Sequence, residues 1–178
     1  SIAPGTEGKA ILKIKEDGVL AGMQVAEKIF RYMQPDIVFT AFKKDGDTMK
    51  SGEIAFEVRA QVHTILQCER LVLNCMQRMS GIATTTNRIV QLLKPYKTKV
   101  LDTRKTTPGL RYLEKWAVKI GGGVNHRIGL YDMILIKDNH VDYAGGIANA
   151  IIAANNYLKD KNKDLAIEIE VRNMEELK

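Results

Sequence analysis

The sequence predicts an α/β protein in two parts: an amino-terminal α+β domain over residues 1–94, and a series of βα units around a mostly parallel sheet over residues 95–178. Two observations carry this. Between Ala10 and Val62, two stretches of apolar and polar alternation flank one helical pattern, and such alternation marks a half-buried strand. After Pro95, short apolar runs alternate with helical ones, the order that produces parallel strands joined through helices.

Taken in order, "AILKIK" (Ala10 to Lys15) is the first strand. "GMQVAEKIFRYM" (Gly22 to Met33) sets Val25, Ile29 and Met33 at helical spacing and is stopped by Pro35. "KKDGDTMKSGE", from Lys43, is a turn-rich connection. The next strand, Glu53 to Val62, opposes Ile54, Phe56, Val58, Ala60 and Val62 to Glu53, Glu57, Arg59 and Gln61. Thr64 to Leu93 forms a helical connector with Leu66, Val72, Leu73, Met76 and Met79 as packing residues and a break expected at Ser80-Gly81. Its methionines read as core filler. Beyond Pro95 the order is strand "KVLDT", helix "LRYLEKWAVKI", short strand "GGVNH", strand "DMILIK", helix "GGIANAIIAANNYL" and strand "LAIEIEV". A complete (β/α)8 barrel takes about 250 residues, so only part of one is expected here.

Composition narrows the classes. With 178 residues, 45% hydrophobic and 27% charged, the chain can bury a substantial core and is not compositionally disordered. A net charge of +6 favours acidic partners, whether nucleic acid, phosphorylated metabolites or an anionic surface. Cys68 and Cys75 lie in one helical segment, with Cα atoms about 10 Å apart at helical rise, beyond disulfide reach. Reduced thiols, together with the lack of a signal-like or bilayer-length apolar run, predict a soluble cytoplasmic protein without a membrane partner. A start at Ser1 and an end at Lys178, shortly after "LAIEIEV", read as a fragment.

The polar residues gather at strand ends. "VLDT" runs into Arg104-Lys105, "GGVN" into His126-Arg127 and "MILI" into Lys137-Asp138-Asn139-His140, while "IEIEV" carries Glu168 and Glu170. In parallel α/β architectures the carboxyl ends of the strands hold the active site, because loops there converge above a packed core. A pocket lined by Arg104, Lys105, His126, Arg127 and Lys137 would be cationic and would suit a ligand with several carboxylates or phosphates. Any single basic pair is better read as a solvated corner; four strand ends behaving alike favour the pocket. In "VLDTRKTTPGLR", Thr107 is the expected N-cap and Pro108 the first helical residue, so a helix amino terminus would add free N–H groups for an anion.

Other motifs say less. Gly121 to Gly123 fits neither the dinucleotide fingerprint nor the P-loop and reads as a close backbone approach. His63, His126 and His140 lack zinc-site spacing, and His63 reads as a packing residue. Glu168 and Glu170 are two apart on a strand and share a side. Paired carboxylates beside phosphate-binding cations point to Mg²⁺; a buried charge pair and a solvated face remain open.

"DTRKTTPGLRYLEKWAVKIGGGVNHRIGLYDMILIKDNH" resembles the signature of the quinolinate phosphoribosyltransferase family, and the likeness extends through "EDGVLAG", "GEIAFEVRA", "ERLVLNCMQRMSGIATTT" and "IEIEV", nearly the whole chain. The resemblance implies a sandwich-like α+β domain followed by part of a TIM-like (β/α) barrel. It implies a glycosyltransferase of NAD biosynthesis that joins quinolinate (pyridine-2,3-dicarboxylate) to 5-phosphoribosyl 1-pyrophosphate, giving nicotinate mononucleotide, pyrophosphate and CO2. Carried over by residue, Arg104, His126 and Arg127 hold the ring carboxylates, and Lys105 and Lys137 meet the phosphoribosyl donor and its leaving pyrophosphate. Glu170, and with it Glu168, belongs to the Mg²⁺ and ribose-hydroxyl environment. Lys105, Lys137 and Glu170 are the expected catalytic residues. Arg70, in "CERLVLN", is the arginine lent to a neighbouring subunit, which makes a homodimer the minimal active unit.

Against the family's pattern the sequence lacks later βα units and some amino-terminal residues, so a chain ending at Lys178 is expected to be poorly stable and inactive. The rival readings are a related transferase of the same fold acting on another anionic ring, an inactive fragment, and a basic nucleic-acid-binding module. The last is disfavoured because the cations come singly or paired, with no aromatic platform or basic helix.

Overall fold

A computed structural model describes residues 2–177. The chain divides into two compact units, Ser1–His126 and Arg127–Lys178.

In the first unit, β1 (Glu7–Lys13), β3 (Val38–Ala41) and β5 (Ile54–Gln61) form an antiparallel sheet in the order β1-β5-β3. β2 (Gly18–Val19) and β4 (Thr48–Met49) form a separate short ribbon. The predicted alternation holds in the middle of the strands: Ala10 and Leu12 of β1 pack inward with Phe56, Val58 and Ala60 of β5, while Ile11 is exposed on the opposite face. At the ends of β5 it does not, since a register shift opposite Ile54 leaves that residue exposed and Ala55 buried, and Val62 begins a helix. α1 (Met23–Met33) and α2 (Val62–Leu93) complete that core through Ala26, Phe30, Cys68, Val72 and Met76. Phe30, Phe39 and Phe56 meet at its centre, with Phe39 and Phe56 stacked at 4.6 Å between centroids. Gly22 offers α1 no capping side chain, so Asp45 reaches in from the loop between β3 and β4 and accepts from Met23 N at 2.9 Å.

α2 runs unbroken past Ser80-Gly81, contrary to the break expected there. The reason lies in both residues. Ser80 Oγ is turned outward to neighbouring chain, accepting from Ala21 N at 3.0 Å and donating to Ala21 O at 3.1 Å. Gly81 sits where a side chain would meet nothing within 4 Å, so no close packing bends the helix around it. The full length of α2 is used: its first half packs on the sheet, and Met79 and Ala83 in its second half pack with Ala117 of α3 (Arg111–Ile120). His63, read as a packing residue, is exposed on its first turn.

α3 also begins later than predicted. Thr107 is not its cap; Leu110 N donates to Thr107 O at 3.0 Å, and Gly109 has φ +77°. Proline followed by a left-handed glycine satisfies a type II turn, and that turn consumes Thr107 to Leu110 before the helix can start. Where a strand was expected in "KVLDT", one parallel bridge joins Leu101 to Val124. Only Val100 and Leu101 are apolar there, Leu101 is itself half exposed, and the side chain buried beside them is that of Asp102.

The glycine triplet closes α3 against α2. A Cβ on Gly121 would lie 2.4 Å from Ala83 O, and one on Gly123 2.7 Å from Val118 Cγ1. This is the close backbone approach that the motif implied, made to a helix.

In the second unit, β6 (Ile134–Ile136) pairs in parallel with β7 (Ile167–Ile169), and the connection between them carries α4 (Asp138–Ala144) and α5 (Ile147–Asp160). α4 was not foreseen. Ile136, Val141 and Ala150 form the core, flanked by Ile134, Ile147, Ile151, Ile167 and Ile169. The architecture is thus mixed α/β, with a βααβ unit at its carboxyl end.

Candidate active site

Parallel pairing decides which side chains share an end. Leu101 and Val124 are bridged in parallel, so the residues that follow them, Arg104 and His126, leave from the same end of the pair. In the second unit Ile136 is paired with Ile169, and Lys137 and Glu170 follow at once. Lys137 Nζ lies 3.6 Å from Glu170 Oε1, with both side chains about half exposed at 46% and 53%. Each unit therefore carries one pair of predicted site residues, Arg104 with His126 and Lys137 with Glu170, just beyond the carboxyl end of a parallel pair.

At the first-unit corner, Arg104 is partly buried, and among the described residues its Nε is the one buried side-chain nitrogen or oxygen without a hydrogen-bond partner. A buried donor left open is costly. The loop bearing it is well braced: Arg111 donates from Nε to Thr106 Oγ1 at 3.2 Å and from a terminal nitrogen to Arg104 O at 3.5 Å, and Lys105 N donates to Thr103 Oγ1 at 3.1 Å. Arg111, one of the three cations crowded at this corner, thus supports the backbone of another. Lys105 is exposed.

Several residues that the sequence reading passed over build the corner. Arg78 donates to Glu114 Oε1 from Nε at 2.9 Å and from a terminal nitrogen at 2.7 Å, and also to Thr107 Oγ1 at 3.0 Å. Thr107 N donates to Glu114 Oε2 at 3.1 Å. The Thr107 amide, expected to be free for an anion, is thus bonded to the chain's own carboxylate. Burial opposes ionisation of Glu114, yet the hydrogen bonds from Thr107 and Arg78 outweigh it and hold the carboxyl below its ordinary 4.5. A depressed carboxyl contributes stability above its unfolded value and loses it as pH falls through the folded one. Glu114→Gln should therefore flatten the fall of melting temperature below about pH 4.5, and superimposable acid limbs for the two proteins would disprove the pairing.

Asp102 and Lys115 form a buried ion pair, their side chains 6% and 3% exposed. Asp102 Oδ1 also accepts from His126 N at 2.8 Å. With its amide turned to donate, Asn125 Nδ2 lies 2.7 Å from Lys115 O and 2.9 Å from Asp102 Oδ2. No periodic signal marks Lys115, since it sits on the inner side of α3, where the pattern asks for apolar residues.

The remaining predicted residues are placed as follows. Arg70 is exposed on α2, Arg127 is 9% exposed, and Glu168 is exposed on β7. Lys137 N donates to His140 Nδ1 at 2.9 Å, which fixes the first turn of α4. Among the described residues no three metal-ligating side chains come together. Cys68 and Cys75 are free, and burial pushes both thiols up. Among the described residues no helix is long and apolar enough to cross a membrane.

Comparison with known proteins adds the following. Residues 1–80 match the family described as "Quinolinate phosphoribosyl transferase, N-terminal domain", and residues 82–178 match "Quinolinate phosphoribosyl transferase, C-terminal domain". The chain is 47% identical to a chloroplastic nicotinate-nucleotide pyrophosphorylase [carboxylating] of Arabidopsis thaliana, over 97% of this chain and 49% of that protein. It is 44% identical to a mitochondrial quinolinate phosphoribosyltransferase [decarboxylating] of Nicotiana tabacum, over 97% and 48%. The solved structure of the nicotinate-nucleotide pyrophosphorylase from Francisella tularensis superposes with a TM-score of 0.88 at 42% identity, covering 98% of this chain and 61% of that one. The chain spans about half the length of these plant relatives.

Proposed function

The chain belongs to the quinolinate phosphoribosyltransferase family, and from that premise we propose that the protein transfers the phosphoribosyl group of 5-phosphoribosyl 1-pyrophosphate to pyridine-2,3-dicarboxylate with loss of CO2. On this reading residues 95–178 are the first part of a TIM-like barrel and residues 1–94 a sandwich-like domain with its helical connector. The observation that carries the reading is the open Nε donor of Arg104 at the end of a parallel strand pair.

Arg104, His126 and Arg127 hold the two ring carboxylates, where a planar guanidinium matches a carboxylate with two hydrogen bonds. Lys105 and Lys137 neutralise the diphosphate as the bond from ribose C1 to oxygen lengthens. The ring nitrogen attacks C1, so no side-chain nucleophile is needed; the chain orients the reactants and excludes water. Pyrophosphate leaves with the bonding pair. The 2-carboxylate then departs as CO2, its electrons held at C2 beside the cationic ring nitrogen until a proton replaces it.

Glu170, exposed at its strand end beside Lys137, fits a single protein ligand for Mg²⁺, an ion that usually keeps waters and takes phosphate oxygens for its other positions. Bound there, the ion would neutralise charge on the pyrophosphate. Glu168 shares the strand and would act through the same environment. Arg70, exposed on α2, serves the pocket of a second copy in a homodimer. Free thiols fit a reducing compartment, and the cytoplasm is the one proposed, although the two plant relatives are named for the chloroplast and the mitochondrion.

Pyrophosphate release tests the assignment. With 5-phosphoribosyl 1-pyrophosphate and Mg²⁺, the full-length protein should turn over pyridine-2,3-dicarboxylate and leave nicotinate largely unused. Preference for the monocarboxylate would transfer the assignment to a related enzyme acting on another ring. Release with neither, alongside oligonucleotide binding that weakens steeply with salt, would favour the nucleic-acid reading.

A further inference from the structure

We infer that Asp102, supported by Lys115 and Asn125, is a positioning residue that holds the His126 strand end in register with the Arg104 strand end. The inference rests on the acceptor-binding roles proposed above for Arg104 and His126. The regular pairing between these strands is a single bridge, Leu101 to Val124, secured by Val124 N to Val100 O at 2.8 Å and Asp102 N to Val124 O at 3.2 Å. Backbone pairing therefore stops two residues short of both Arg104 and His126.

The Asp102 carboxylate takes over where the ladder ends. It accepts from the His126 backbone N–H, from Lys115 Nζ and from the Asn125 amide. Hydrogen bonds to a charged acceptor are shorter and stronger than neutral ones, so one side chain fixes the departure of the neighbouring strand. Lys115 rides on α3, which is packed on α2 through Ala117, so the strand end inherits the rigidity of a helix pair. Stability alone is a poor reason for burying these charges, since desolvation offsets most of what a buried pair gains. Register is a better one, because the residues that would bind substrate start where the carboxylate acts.

A double-mutant cycle in the full-length protein separates positioning from general support. Asp102→Asn keeps the shape and one acceptor oxygen while removing the charge. In the unaltered background it should raise the dissociation constant for pyridine-2,3-dicarboxylate roughly ten- to a hundred-fold, the scale on which a small misplacement acts. Introduced together with His126→Ala it should cost less than about three-fold, because the side chain being positioned is gone. Equal factors in the two backgrounds would mean that Asp102 only supports the fold, and would overturn the inference. Should Asp102→Asn fail to fold, Asn125→Ala provides the same cycle from an exposed residue that removes one donor to Oδ2. If the unaltered protein does not bind the dicarboxylate, the proposed function falls and takes the inference with it. Binding with an additive cycle removes the inference alone.

Discussion

Arg104→Lys is expected to cost about 2–3 kcal/mol of affinity for pyridine-2,3-dicarboxylate, roughly thirty- to a hundred-and-fifty-fold, while leaving the melting temperature almost unchanged. The two halves of this expectation have one cause. Arg104 Nε makes no hydrogen bond within the chain, so its removal breaks no internal bond, and the positive charge is kept. What lysine cannot reproduce is the planar fork with two parallel donors. Calorimetric titration with the dicarboxylate, paired with a thermal melt, measures both quantities. Unchanged affinity would show that Arg104 serves solvent rather than ligand. A large fall in melting temperature would show that its donors are needed by the fold.

The largest stability effect is expected at Gly121→Ala. Gly121 has φ −71° and ψ −3°, at the turn-like edge of the right-handed region and open to alanine, so the substitution does not require a left-handed backbone. The obstacle is spatial. The new methyl carbon would lie 2.4 Å from Ala83 O and 2.8 Å from Thr86 Cβ on α2. A backbone carbonyl in the middle of a long helix cannot step aside without moving its turn. Overpacking of this kind costs about 3 kcal/mol, read as a lower denaturant midpoint with an unchanged slope. Gly81→Ala is the control, since its methyl would meet nothing within 4 Å and alanine is the better helix former by about 0.5–1 kcal/mol. Equal stability of Gly121→Ala and the parent would mean that α2 and α3 do not approach as closely as the structure places them.

How much of this was legible depended on whether the deciding contact was local. Alternation in β1 and β5 needs only neighbouring letters, and it holds from Phe56 to Ala60; at the ends it fails, because a register shift beside Lys13 exposes Ile54 and buries Ala55, and Val62 opens α2. Neighbouring letters also carry α1, α3, α5 and the parallel character of β6 and β7. Ser80-Gly81 misled because a serine and a glycine weaken a helix in isolation, whereas here Ser80 is bonded to Ala21, 59 residues away. Thr107 and Pro108 misled because the glycine that follows them takes a left-handed conformation and converts a cap into a turn. α4 was hidden by its polar sequence. At the site, the clustering of polar residues at strand ends could be seen from spacing, but identity came from resemblance. The supporting pairs could not be read at all. Asp102 with Lys115 and Arg78 with Glu114 join residues on different elements, and nothing periodic announces a buried lysine or glutamate on a helix of ten residues.

The proposed reaction requires basic groups from separate strand ends to meet one dianionic ring. A crystal structure of the full-length protein with pyridine-2,3-dicarboxylate bound tests this most directly. It should show one ring carboxylate within hydrogen-bonding distance of the Arg104 guanidinium, including Nε, and the other held from the His126-Arg127 segment. A dicarboxylate seated elsewhere on the protein, with Arg104 Nε still unbonded and His126 turned away from it, would contradict the account.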